Sequence, residues 1–347
     1  MSIVTIIFKI VEPMMFRGSG EFDPFVRGTQ SRALTLPLPT PSTVAGALAT
    51  YCISTLNKSM PKSSEWLERY KEILGDVKIK GLLLSLNGEL LVEDRIDGGF
   101  LDMKTLKSKC EKKYKKLSKK LTSIEELNKE EEEPKVSISF EESKSIRVGT
   151  ALEKRSKSNA KIAKEGYLYS TEYIDYFSFR KKKVESIEIL SELKGDIADE
   201  LISSKELPIK FGGESRVALL SFEKDTQILN KIKSELWDNK DKHSGILALY
   251  LSTPALFKGG KRIKECIGEW TNQVKYNLRG LYGESELLSA GFGLEGKRKP
   301  IYSSLKPGSI IFIEGEDFNL SDIYWEKGLG EATEIGYGTL LPVPLKV

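Results

Sequence analysis

Apolar residues fall in strand-length blocks along most of the chain, and one block recurs together with the loop at its end. Ile3–Ile10 is a nearly continuous apolar run that leads to Pro13 and then to Phe16-Arg17-Gly18. Ile246–Ser252 is another, leading to Pro254 and then to Phe257-Lys258-Gly259. The segments PMMFRGS (Pro13–Ser19) and PALFKGG (Pro254–Gly260) therefore echo one another in matching contexts. Short apolar runs bounded by such punctuation predict strands. Proline, which donates no ladder hydrogen bond, ends each one. A glycine beside a cation then lets the backbone approach a ligand with a positive head group next to it. Either copy alone is ordinary punctuation. Together they predict two similar domains, each opening on a strand whose end carries a small basic loop.

The remaining periodicities fill in the first domain. LPLPTPSTVAGALATYC predicts a helix capped by Ser42 or Thr43, with Val44, Leu48, Tyr51 and Cys52 on one stripe. LLLSLNGELLV places Asn87-Gly88 between apolar runs and predicts a hairpin. In a charged insertion over about residues 101–140, Leu106, Cys110, Tyr114, Leu117 and Leu121 recur at helical spacing. This predicts an amphipathic surface helix whose lysines form a solvated face. Residues 144–169 read as a basic finger, with strands at roughly Ser145–Leu152 and Gly166–Ile174 flanking a polar tip. FGGESRVALLSF adds a Gly-Gly turn and Arg216 before a closing strand. The polar stretch Asp238–Ser244 is the expected boundary, giving domains over 1–237 and 245–347. In the second, a strand at Ser309–Glu314 and a short helix near Leu320–Glu326 precede KGLGEATEIGYG.

Composition removes whole classes of chemistry. With one histidine, His243, among 347 residues, histidine-centred acid–base catalysis and Ser-His-Asp triads have almost no raw material. The cysteines Cys52, Cys110 and Cys266 form no CxxC pair, which argues against a zinc site or a disulfide framework and for reduced, buried thiols. No metal and no cofactor is expected. No apolar stretch is long enough to span a membrane, and the N-terminus lacks the features of a signal peptide, so a cytoplasmic protein without membrane contact is expected. The net charge of +4, from Lys+Arg 54 against Asp+Glu 50, is modest. Any affinity for nucleic acid must come from local clusters.

Such clusters exist. Arg17–Gly28 interleaves Arg17 and Arg27 with Phe16, Phe22 and Phe25, and Arg32 follows. Rings that stack on bases and arginines that hold phosphates suit a single strand. The same pattern suits an ordered loop whose phenylalanines anchor a core. Within the finger, Lys144–Lys164 holds Lys144, Arg147, Lys154, Arg155, Lys157, Lys161 and Lys164 against Glu153, and the finger either crosses a nucleic-acid strand or is a solvated loop. The late motif spaces Gly328, Gly330, Gly336 and Gly338 as GxGxxxxxGxG. It has no GK[ST] ending and does not open a helix, which disfavours mononucleotide binding.

Taken together these stretches resemble the RAMP superfamily of CRISPR-associated proteins, through GLGEATEIGYG above all. More narrowly, FRGSGEFDPFVRG with PLPTPSTVAGAL, then EGYLYSTEYI, FGGESR and KPIYSSLKPGSIIFIEG, are similar to the third subunit of the type III-B Cmr complex. The resemblance implies an α+β chain of two tandem ferredoxin-like (RRM-like) βαββαβ domains with insertions and a C-terminal glycine-rich loop. It implies a non-catalytic RNA-binding subunit of an antiviral ribonucleoprotein. Such a subunit anchors the 5′ handle of the CRISPR RNA, docks to the large polymerase/cyclase-type subunit and to a neighbouring RAMP backbone subunit, and meets target RNA only indirectly. The implied RNA-facing residues are Arg17, Ser19, Arg27 and Arg32 in the first loop, Thr43 at the helix cap, Arg216, and Gly328, Gly330, Gly336 and Gly338. The cluster reading adds Arg147, Lys154, Arg155, Lys157 and Lys258. Glu331 and Glu334 make the glycine loop acidic, and its glycines serve either RNA contact or close packing. The competing reading is a guide-processing endoribonuclease of the same superfamily, with a lysine–tyrosine site within Arg147–Tyr173.

Overall fold

A computed structural model describes residues 2–18, 32–122, 136–154, 161–179, 183–224, 227–259, 261–289 and 300–345. Ser19, Arg27, Arg155 and Lys157 lie outside the described residues, as do Phe22 and Phe25. The chain is mixed α+β, built on antiparallel sheets. Ile3–Ile10 forms a strand over the predicted span and lies inside an eight-stranded sheet. The order is Leu207–Lys210, Val217–Glu223, Ile3–Ile10, Ile187–Gly195, Val77–Leu86, Glu89–Asp94, Gly99–Asp102, Ile138–Ser139. A four-stranded sheet follows in the order Asn277–Tyr282, Ile310–Asn319, Lys242–Leu251, Leu340–Pro344.

The same scheme runs through both halves. A first strand is followed by a helix, Pro41–Thr55 or Ile263–Val274, and then by a second and a third strand. A short helix, Ala198–Ile202 or Leu320–Glu326, leads to the fourth strand. In both sheets these strands lie in the order fourth, first, third, second. A hairpin separates the second strand from the third in each half: Lys144–Lys154 with Lys161–Ile174, and Ser285–Ser289 with Ile301–Leu305. Each hairpin pairs antiparallel with its echo loop, through Met14 opposite Ile174 and through Ala255–Phe257 opposite Ser303–Leu305. The glycine turn before each fourth strand also grips that loop. Gly213 N–H donates to Met15 O at 2.7 Å, and Gly338 N–H donates to Pro254 O at 2.8 Å. The repeated seven residues are thus the visible part of a longer structural repeat.

Local chemistry accounts for most elements. Asn87 and Gly88 take φ of 50° and 81°, as the tight hairpin turn requires. The first helix starts earlier than expected, at Pro41, with Thr40 extended before it. Proline fits the first helical position because its missing N–H has no partner to lose there. Val44, Leu48, Tyr51 and Cys52 are buried as predicted, against Val4, Ile6 and Phe8 on one face of the large sheet. The other face, with Ile7, Leu83 and Leu190, shares a core with the four-stranded sheet, so the large sheet is covered on both sides. The stretch Asp238–Ser244 is not all boundary. The strand starts at Lys242, and the helix Gln227–Glu235 and buried Trp237 precede it. The Trp237 indole donates to Pro342 O at 2.7 Å. No helix among the described residues is long and apolar enough to cross a membrane.

The charged insertion forms the helix Met103–Thr122, and Leu106 and Cys110 are buried as the spacing predicts. Its lysines are not all solvated. Lys109 is fully buried, and its ammonium pairs with Asp94 and, at 2.7 Å, with Asp97. The thiol prediction also needs correction, since Cys52 and Cys110 are buried but Cys266 is only partly so.

A buried carboxyl sits where the first sheet meets the second half of the chain. Glu192 accepts from Leu229 N–H at 3.0 Å and from Tyr324 O–H at 3.1 Å. Burial pushes its pKa up to about 7, against those hydrogen bonds, which lower it. An acid raised in the fold gives a stability that is complete below the unfolded value, 4.5, and is lost as pH rises through about 7. The full loss is about 3 kcal/mol. Glu192→Gln, which keeps an acceptor, is therefore expected to raise the thermal midpoint above pH 7 and to change it little near pH 4.5. An offset independent of pH would contradict this.

Candidate nucleic-acid interface

The fold gathers part of the predicted set around one ring. Tyr173, near the end of the returning strand of the finger, is buried between two guanidinium groups. Arg216 lies 4.5 Å and Arg147 4.9 Å from its ring centre. Rings attract cations over their faces, and the attraction grows where water is excluded. Arg216 comes from the glycine turn and Arg147 from the outgoing finger strand, so Tyr173 couples the two. Glu12, just before the echo loop, completes the arrangement. Its carboxylate pairs with Arg216 and accepts from Val217 N–H at 2.8 Å. Burial works against its charge, but the Val217 amide and Arg216 outweigh it and hold Glu12 below the usual carboxylate range.

Arg17 joins this group through the backbone. It bridges Thr35, whose N–H donates to Glu172 beside Tyr173 and whose hydroxyl accepts from Phe16 N–H at 2.9 Å. The Arg17 side chain is exposed. Partial burial of its guanidinium lowers its pKa, opposed by Glu214. Arg32 lies in the same neighbourhood by its backbone, since Arg32–Ala33 pairs parallel with Ser170–Thr171 of the finger. Phe16 is a core anchor. It is buried, with its ring edge-on to Phe211 at 5.4 Å, so the core alternative holds for that ring. The finger strands run Lys144–Lys154 and Lys161–Ile174, longer than predicted, and Arg147 is exposed on the first of them. Lys154 ends that strand, and nothing beyond its backbone is described.

Thr43 and the late glycines belong elsewhere. Thr43 lies inside the first turn of the helix, its hydroxyl 3.1 Å from that of Thr40. The neighbouring Ser42 hydroxyl meets Tyr337 OH at 3.1 Å, so the glycine loop packs onto the start of this helix. Gly336 and Gly338 are buried, and their amides donate to Thr333 O and Pro254 O. A Cβ at Gly338 would lie 1.8 Å from Leu329 O, and one at Gly330 2.2 Å from Leu256 O. Such approaches admit only glycine. Gly328 O accepts from the Trp270 indole at 3.0 Å. The loop therefore serves close packing, with its buried amides turned inward. Lys258 is exposed on the second echo loop and pairs with Glu331 at 3.4 Å.

Sequence reasoning missed Glu12 and Tyr173. Their signal was faint: an acid one residue before the echo, and an alternating tyrosine that fits core and ligand equally well. His243 is occupied structurally, stacked on Phe318 with its Nε2 2.9 Å from Ile246 O. Among the described residues no cluster of three metal-ligating side chains occurs.

Comparison with known proteins settles the family. Residues 11–101 and 95–345 match the family described as CRISPR-associated protein (Cas_Cmr3). The chain belongs to the Cas_Cmr3 family. A curated relative, the CRISPR system CMR subunit Cmr3 of Saccharolobus solfataricus, is 27% identical over 97% of this chain and 95% of its own length. Two cryo-EM structures of the Type III-B Cmr-beta contain chains of the same fold. One, bound to cognate target RNA, matches at TM-score 0.59 with 22% identity over 97% of this chain and 96% of the other. The second, with target RNA and AMPPnP, matches at 0.57 with 22% identity over 97% and 95%.

Proposed function

We propose that the chain is a non-catalytic RNA-binding subunit of a type III-B CRISPR effector complex. In this reading it anchors the 5′ handle of the CRISPR RNA, docks to the large polymerase/cyclase-type subunit and to a neighbouring backbone subunit, and meets target RNA through the guide. The observation that carries the RNA half is the convergence of Arg147 and Arg216 on Tyr173, with the loop at Arg17 bridged to Thr35 beside them, in a Cas_Cmr3 family member. Guanidinium groups held by a ring and one carboxylate are pre-organised for phosphate, so little side-chain freedom is lost on binding. The strand order shared by the two halves supports two tandem ferredoxin-like units, dividing just before the strand that begins at Lys242, within the RAMP superfamily. The structural engagement of His243 supports binding over cleavage.

The test is to incubate the purified chain with 5′-labelled repeat RNA. Retention of the RNA and its recovery uncut are expected. Discrete products that vanish with Arg147→Ala or Tyr173→Phe would replace this reading with that of a guide-processing endoribonuclease.

A further inference from the structure

The two echo loops share an architecture but not an electrostatic setting. Near the first loop Arg147 and Arg216 gather on one ring. In the cleft beside the second loop both lining lysines are matched. A cleft of about 360 Å³ opens beneath the second loop, against the helix Ile263–Val274 and the glycine loop. Its rim carries Lys258 and Lys261. Lys258 pairs with Glu331 at 3.4 Å and Lys261 with Glu269 at 2.7 Å, so the charged lining sums to zero. Its walls are Leu256, Phe257, Leu329 and the half-buried ring of Trp270, which its bond to Gly328 O fixes. A Cβ at Gly259 would meet nothing within 4 Å, so the mouth is open on that side.

The hairpin beside the cleft extends this character. Leu256 and Phe257 lie opposite Ser304 and Ser303, and the sheet continues to the edge strand Ser285–Ser289. Leu287 pairs with Ser303, two residues from Ile301, so Leu287 and Ile301 share a face as diagonal neighbours. They are 67% and 60% exposed. Paired exposed aliphatics beside an apolar cleft mark a recognition surface. A rim without net charge gives a polyanion little counterion release, whereas an aromatic pocket ringed by polar pairs has the anatomy of a protein hot spot.

We propose that this surface, the cleft under the second echo loop with the outward face of the strands Ser285–Ser289 and Ile301–Leu305, receives a large apolar side chain of a neighbouring protein subunit. The charge-matched rim calls for a partner whose anchor is flanked by both an acid and a base. The duplicated loops thus divide the work, the first taking RNA and the second protein. The inference rests on the assembly half of the function proposed above and not on its RNA half.

Cys266 in the cleft wall reports on occupancy. Cys52 and Cys110 are buried whereas Cys266 is only partly so, so a maleimide reads Cys266 in the folded chain. The isolated chain is expected to label there. In the native complex, purified with its RNA through a tagged neighbouring subunit, Cys266 is expected to be protected and to stay protected after RNase digestion. The double variant Leu287→Arg/Ile301→Arg is expected to lower recovery of the chain in that complex at least tenfold. Its thermal midpoint and the isolated chain's affinity for handle RNA should not change. The proposal is overturned by equal labelling in the complex, by protection that RNase abolishes or that RNA alone confers, or by normal assembly of the double variant. Loss of RNA affinity in the unaltered chain would instead strike the RNA half of the proposed function and leave this surface standing.

Discussion

Replacing Lys109 by alanine is expected to destabilise the fold by about 3–5 kcal/mol, because it leaves the carboxyl of Asp94 fully buried and without its cation. Burial disfavours the charge of both partners: at Lys109 the carboxylates of Asp94 and Asp97 outweigh it and raise the pKa, whereas at Asp94 burial outweighs Lys109 and raises the pKa of the carboxyl. The pair also sits at a junction. Asp94 accepts from the amides of Ile96 and Asp97, which fixes the turn, and Arg95 reaches from that turn to Glu93 at 2.7 Å and Glu286 at 2.9 Å. Tyr250 O–H donates to Glu93 O at 2.8 Å. The insertion helix, the large sheet and the second half of the chain are therefore joined through one buried ionic group. Urea unfolding measures the effect. Lys109→Met/Asp94→Asn removes both charges and should recover a large part of the loss, since the penalty lies in the orphaned charge more than in the missing attraction. A loss below about 1 kcal/mol for Lys109→Ala would show that water or another cation reaches Asp94.

How much of the fold and the site was legible depends on which interactions act locally. The strand Ile3–Ile10, the hairpin at Asn87-Gly88 and the helix Leu320–Glu326 stand where apolar periodicity and turn chemistry put them, because short-range geometry decides them. The echo was legible as sequence. Its extension to the hairpins and glycine turns was not, since the pairing of Met14 with Ile174 and the bond from Gly338 to Pro254 join residues far apart in the chain. Lys109 read as one solvated lysine among many, because nothing local marks it as facing Asp94. The glycine motif was visible, but the inward turn of the Gly336 and Gly338 amides was not, since their partners are set by the tertiary fold. Arg17 and Arg147 were found by their local clusters, and Arg216 through the resemblance. The meeting of Arg147 and Arg216 on Tyr173 depends on strand register alone.

Removing Arg17 and Arg147 together is the change expected to cost most in RNA binding. Each guanidinium that makes a charge-assisted phosphate contact contributes about 1–3 kcal/mol, so either single alanine variant should weaken handle binding at least several-fold. The double variant should lose the product of the two effects if the arginines hold separate phosphates. It should lose less if they share one, since Arg17 bridges Thr35, Thr35 N–H donates to Glu172, and Arg147 lies on the adjacent Tyr173. The salt dependence decides between these outcomes. For a single strand each phosphate contact contributes about 0.7 to the slope of log affinity against log salt. Two separate contacts should therefore lower that slope by about 1.4 in the double variant, and a shared phosphate by about half as much. Arg17 is exposed and Arg147 lies on an exposed strand position, so the thermal midpoint should barely move. Lys258→Ala is the internal comparison. Its ammonium is already paired with Glu331, and it should leave both affinity and slope unchanged. A double variant that binds handle RNA with the slope of the unaltered chain would remove the arginine cluster from RNA recognition. A Lys258→Ala variant that lost the slope in its place would move the RNA to the second loop.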